Sequence, residues 1–176
     1  MDQDKIAKQL DAIFPQVIGA VITHDHKDGR VNLAPINFQA VSTKYEHPAS
    51  VCIGLSNQSS TLKNILDSKQ FVYAYPNPNQ VKDIIYCGTV SGHTTDKMKN
   101  TKLKFKKSNQ VEPPTLQEAV INFECELTHS YKAGDFTIIV GEVKYMQVND
   151  SRQKIYSLGG TKYGTLKIDE ILQEGR

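Results

Sequence analysis

Between Gly29 and Lys63 the chain reads GRVNLAPINFQAVST, then HPASVCIGLS, then the start of NQSSTLKNI. Read physically, this is a turn, a strand, a second strand and the Ser/Thr-rich beginning of a helix. A strand that ends where a hydroxyl-rich helix begins places unpaired backbone N–H groups beside a sheet wall. The stretch therefore predicts a β-rich domain with a small pocket suited to an oxyanion.

The rest of the chain extends that pattern. Ile6, Leu10, Ile13 and Phe14 recur at helical spacing, so a short amphipathic helix is predicted over residues 3–13, ended by Pro15. Val17 to Ile22 is apolar and β-branched and reads as a strand. His26-Lys27-Asp28-Gly29 is a hairpin turn, with Gly29 free to take positive φ. Val31 to Val41 returns as its partner, interrupted by Pro35, which requires a sheet edge or a bulge. Strands follow at Val51 to Leu55 and Phe71 to Tyr75, and helices at Thr61 to Ser68 and Gln80 to Cys87. Residues 88–115 are polar, lysine-rich and poor in strand signal, and read as an excursion outside the barrel. Ala119 to Tyr131 and Phe136 to Asn149 are two long strands joined by Lys132-Ala133-Gly134-Asp135. A glycine-rich loop, SLGGTKYG, precedes a short helical or frayed end. No repeat or linker divides residues 1–176, so the expected architecture is one mainly β domain, an antiparallel barrel with helical decorations.

Composition excludes several classes. A chain of 176 residues can bury a real core, and 39% hydrophobic with 23% charged residues is ordinary for a globular domain. A net charge of +2 does not call for a nucleic-acid partner, and no run approaches the roughly 18 apolar residues of a membrane span. The N-terminus is charged rather than signal-like. Cys52, Cys87 and Cys125 are odd in number and far apart, which argues against an oxidised framework and for a reducing cytoplasm.

Two segments carry candidate chemistry. Asn57-Gln58-Ser59-Ser60-Thr61 places hydroxyls at a helix start, where first-turn amides and the dipole favour phosphate, with Lys63 and Lys97 as possible added charge. A plain N-cap uses the same residues, so both readings stand. Asn32 to Ser42 has the free backbone groups of a broken edge strand, which could hydrogen-bond a flat heteroaromatic ring or serve no ligand at all. His24 and His26 share one strand face, a pair compatible with a metal but simpler as exposed turn residues. His47, His93 and His129 are single, and His93 lies beside Ser91 where a cofactor edge could pass. The lysines from Lys97 to Lys107 surround Met98, Leu103 and Phe105; they suit an acidic redox partner, a phosphate-rich ligand or nucleic acid, or a solvated flap.

The segment FPQVIGAVITHDHKDGRVNLAPINFQAVST resembles the opening of the flavin reductase-like, FMN-binding split barrels. The likeness continues through NQSSTLKNI, FVYAYP, SGHTTDKM, INFECEL and IIVGEVKYMQV, and covers roughly residues 14–165. It implies an antiparallel split barrel of Greek-key type, acting as a homodimer with FMN near the subunit interface. Carried over by position, it implies that Ala34, Asn37, Val41 and Ser42 face the ring and ribityl parts. Asn57, Ser59, Ser60 and Thr61 would bind the phosphate, and Ser91 and Lys97 would reach the same cofactor. Gly159, Gly160 and Tyr163 would close over the ring.

Two departures from the family pattern bear on function. Asn37 stands where many members have Ser. In Ala133-Gly134-Asp135-Phe136, Phe136 stands where NAD(P)H-using members read Gly-Asp-His, the histidine being associated with the nicotinamide. The resemblance thus implies an FMN-dependent oxidoreductase, either a NAD(P)H:flavin reductase or a flavoredoxin-like electron carrier serving a redox protein or a small-molecule acceptor. A non-enzymatic flavin-binding module and a nucleic-acid-binding barrel are the alternatives.

Overall fold

The computed structural model describes residues 11–25, 28–42, 49–92, 94–149 and 153–166. The predicted N-terminal helix lies mostly outside them, leaving a 3-10 turn at Asp11–Ile13; His26, Lys27, His47, His93 and the C-terminal end also lie outside.

The strands are β1 (Gln16–Val17), β2 (Gly19–His24), β3 (Val31–Ile36), β4 (Gln39–Ser42), β5 (Ser50–Ser56), β6 (Gln70–Tyr75), β7 (Phe105–Lys106), β8 (Thr115–Leu116), β9 (Ile121–Ala133), β10 (Phe136–Val148), β11 (Tyr156–Ser157) and β12 (Tyr163–Gly164). Two helices, α1 (Ser60–Ser68) and α2 (Val81–Thr89), interrupt them. Seven strands form one antiparallel sheet in the order β3-β2-β6-β9-β10-β5-β4. Within it β5, β6, β9 and β10 follow a Greek-key path, β5 lying beside β10.

The two ends of that order are joined by Asn37-Phe38 alone. Three Cα steps reach at most about 11 Å, so the edge strands β3 and β4 must lie close together. The sheet is thus curled into a barrel with a split between β3 and β4. Pro35 sits within β3, opposite Ala20, and an edge strand tolerates its missing donor. The chain breaks two residues later than the proline suggests, at the crossing from one edge to the other.

Both faces of the sheet are apolar. In β6, Phe71, Tyr73 and Tyr75 point into the barrel, where Val21, Ile53, Phe123 and Ile139 meet Leu62 and Ile65 of α1. Val72 and Ala74 point outward and pack with Ala20, Ile22 and Leu33 against Ile84 and Cys87 of α2. The period of two therefore separates two cores rather than a core from solvent.

The excursion is outside the barrel as predicted, but it is not simply solvated. Lys102, Lys104 and Lys106 are exposed, while the alternate residues Leu103 and Phe105 pack on the outer core. Glu124 of β9, fully buried, anchors the excursion by accepting from the amides of Asn109 (2.9 and 3.0 Å) and Gln110 (2.6 Å). Among the described residues no helix is long and apolar enough to cross a membrane.

Candidate functional site

A cavity of about 400 Å³ opens beside the split. Three chain segments build it: the β3 end and its crossing (34–38), the β5–α1 turn (54–61), and the end of α2 with the residues after it (87–92). Lys97 and Phe136 complete the lining.

The β5–α1 turn is the polar part. Ser59 caps α1, its Oγ accepting from the Leu62 amide at 3.0 Å. Thr61 Oγ1 accepts from Asn32 Nδ2 at 2.9 Å. In both cases the oxygen is an acceptor, which leaves the O–H proton to donate. The amides of the first turn have no carbonyl of their own helix to bond. Ser59, Ser60 and Thr61 all line the cavity, so the capping and anion readings of this turn are compatible rather than exclusive.

Lys97 is 6% exposed and donates to the carbonyls of Leu33 (3.0 Å) and Cys87 (2.7 Å). Burial holds its ammonium below the usual lysine range, and the nearby Cys87 opposes that fall. Burial also pushes the Cys87 thiol up to about 11, so Cys87 is a neutral thiol at neutral pH.

Glycine lets neighbouring side chains pack closely at two points. A Cβ on Gly92 would lie 2.4 Å from Asn32 Oδ1, and one on Gly88 would lie 2.8 Å from Pro35 Cγ. Asn32 is buried, and among the described residues its Oδ1 has no hydrogen-bond partner. A ligand hydroxyl or water is the natural donor for such an acceptor.

The structure gathers Ala34, Asn37, Ser59, Ser60, Thr61, Ser91 and Lys97 around this cavity. Val41, Ser42 and Asn57 are not part of its lining. Val41 packs on the barrel core, and Ser42, its neighbour in an alternating strand, is exposed on the other face. Asn57 instead ties two turns together: its Nδ2 donates to Gly134 O (2.8 Å), its Oδ1 accepts from Thr137 Oγ1 (2.7 Å), and its amide donates to Asp135 O (2.9 Å). Lys63 is exposed and away from the cavity. Gly159, Gly160 and Tyr163 are also absent from the lining; β11 pairs with β1 and β12 with β11, and Tyr163 packs on the outer core.

Sequence reasoning missed Phe38, Gln58, Cys87, Gly88 and Gly92 as lining residues. The two glycines flanking the end of α2 were the available signal. Phe38 is 51% exposed with its ring against Gly54, and Phe136 is 45% exposed, the two ring centroids 6.4 Å apart.

Comparisons with known proteins bear on the family and the fold. The family model described as "Flavin reductase like domain" matches residues 12–167. An uncharacterized protein of Aquifex aeolicus is 29% identical over 147 residues, covering 81% of this chain and 74% of that protein. One of Archaeoglobus fulgidus is 33% identical over 101 residues, which span 57% of this chain and 56% of that one. Among solved structures, a 2-nitrobenzoate 2-nitroreductase of Pseudomonas fluorescens superposes with a TM-score of 0.84 at 20% identity, covering 100% of this chain and 92% of the other. The flavoredoxin of Desulfovibrio vulgaris (Miyazaki F) gives 0.78 at 21% identity, covering 92% and 91%. At these identities the superpositions establish the fold.

Proposed function

This chain belongs to the flavin reductase-like domain family, and we propose from that premise that it is a flavoprotein oxidoreductase whose cavity holds FMN. The observation that supports this best is the pairing, in one cavity, of a hydroxyl-rich helix start with an apolar wall. The amides and hydroxyls of Ser59, Ser60 and Thr61 would hold the phosphate, and Lys97 would add positive charge. Ala34 of β3 and Asn37 of the crossing, with Ser91, would border the rest of the cofactor. When bound, FMN supplies the hydride or single-electron chemistry, and the protein supplies binding, orientation and the local field.

Phe136 favours a flavoredoxin-like carrier over a NAD(P)H:flavin reductase, because the position that differs from NAD(P)H-using members faces this cavity. A redox protein or a small-molecule acceptor would then complete the electron path. We place the protein in the cytoplasm as a homodimer, consistent with its free thiols and with the exposed Tyr145, Met146 and Val148 on β10.

The test is an equilibrium titration with FMN, followed by visible absorption under anaerobic NADH, NADPH and dithionite. FMN binding is expected, with bleaching by dithionite rather than by the nicotinamides. Ser59→Ala with Thr61→Ala should weaken FMN by on the order of 1–3 kcal/mol through two lost donors. Unchanged affinity in the double variant would remove this turn from the site.

A further inference from the structure

We infer that Phe38 and Phe136 form a preorganised aromatic rim that selects a flat, uncharged aromatic or conjugated molecule as the second occupant of the cavity. The inference rests on the flavin reading above and names the class of partner molecule for the same site.

Four observations carry it. The two rings are the large apolar side chains of the lining that face solvent, at 51% and 45% exposure, so they lie at its outer end. Their centroids are 6.4 Å apart at 55°, the range in which aromatic rings attract and can admit a third ring at their edges or faces. Both are held from behind. Phe38 lies against Gly54, where a Cβ would come within 2.2 Å of its ring, and its carbonyl accepts from the Gly54 amide at 3.0 Å. Phe136 follows a turn that Asn57 clamps at Gly134, Asp135 and Thr137. A fixed rim gives up little side-chain freedom when a ligand enters.

Charge supplies the fourth observation. Among the described residues Lys97 is the one charged residue of the lining, and it is buried with its ammonium on two backbone carbonyls. Among the described residues, the outer end offers an incoming anion no cation. It offers neutral hydrogen-bonding groups instead, Ser56 and Gln58, which suit a carbonyl or hydroxyl substituent. A phosphate-bearing molecule would have to leave its hydration shell there without an ionic partner.

The experiment uses FMN-loaded protein and three probes: 2-naphthol, its saturated analogue decahydro-2-naphthol, and the anionic 2-naphthalenesulfonate. Binding is read from the flavin difference spectrum, and for 2-naphthol also from its own fluorescence. The expected result is about tenfold tighter binding of 2-naphthol than of either other probe, as two ring contacts provide. In the Phe38→Leu, Phe136→Leu double variant, probed at an FMN concentration that saturates the variant in its own titration, that preference should vanish, leucine preserving an apolar end that folds. Equal binding of the three probes by the native protein, or a preference that survives in the double variant, overturns the inference. A double variant that loses both the preference and a self-association measured by sedimentation also overturns it, since the rings are then an interface between copies. Native protein that binds no FMN but still prefers 2-naphthol by fluorescence keeps the rim and rejects the flavin reading.

Discussion

Replacing Lys97 by methionine separates a structural lysine from a decorative one. Its ammonium joins three elements, since it projects from the excursion and donates to Leu33 of β3 and Cys87 of α2. Hydrogen bonds from a charged donor are worth about 1.5–3 kcal/mol each, so the two together are worth about 3–6 kcal/mol. Part of this is offset, because a buried ammonium without a carboxylate partner is costly, and methionine fills similar space without that cost. No carboxylate lies within ion-pair distance of Lys97 among the described residues. A net loss of about 2–3 kcal/mol remains, which for a domain of this size lowers Tm by roughly 4–12 °C. Lys99→Met is the control, since Lys99 is 80% exposed and only pairs with Asp96 at 3.5 Å. Such a pair is worth about 0–1 kcal/mol. Differential scanning calorimetry of both variants at one salt concentration decides the matter. A Lys97→Met melting point no lower than that of Lys99→Met would refute the reasoning.

Three further outcomes test other parts of the structure. Glu124→Gln exchanges a carboxylate that receives the Asn109 and Gln110 amides for a group with one acceptor oxygen, and should cost about 2–3 kcal/mol with faster hydrogen exchange at those two amides. Gly141→Ala places a Cβ 2.5 Å from Phe71 Cζ, and Phe71 is fully buried, so overpacking should cost about 2–3 kcal/mol in urea unfolding; Gly54→Ala would press on Phe38, whose displacement is toward solvent rather than into a packed core, and should cost less. Stability should fall at alkaline pH: the Cys87 thiol is raised from 9.0 to about 11, so its contribution is full below 9 and is lost as pH rises through 11, because the unfolded chain ionises first. That displacement corresponds to about 3 kcal/mol; Cys125 and Tyr73, also raised by burial, act in the same direction, and the lowered Lys97 acts against them. Urea titrations at neutral and alkaline pH should show a smaller loss in Cys87→Ala than in the native protein.

Local patterns account for what could be read directly from the chain. Apolar, β-branched runs marked strands at Val17 to Ile22 and Phe71 to Tyr75, close to the observed Gly19–His24 and Gln70–Tyr75; Gly29 marked a hairpin turn with positive φ, Lys132-Ala133-Gly134-Asp135 marked a second turn, and Ser59 marked the start of α1. These signals depend on a few neighbouring residues, so one sequence suffices. The hydroxyls of Ser59 and Thr61 and the ammonium of Lys97 were legible for the same reason, because side-chain chemistry travels with the residue.

What depended on register was not legible. Asn57 looked like a phosphate ligand from its neighbours, yet its side chain is committed to Thr137, a separation of 80 residues. Val41 and Ser42 fell on opposite faces of a short edge strand, and only the pairing of Val41 with Val51 decided which face met the core. Lys102 to Lys106 read as a charge run because their charges are obvious, while the burial of Leu103 and Phe105 came from an outer sheet face that must also be covered. The glycine-rich tail was free, on sequence grounds, to close over the cavity; pairing with β1 placed it elsewhere. The sequence by itself determined the elements and the chemistry available to them. The closure of the sheet through Asn37-Phe38 decided which of those groups share a cavity, because long-range pairing sets where backbone and side-chain partners meet.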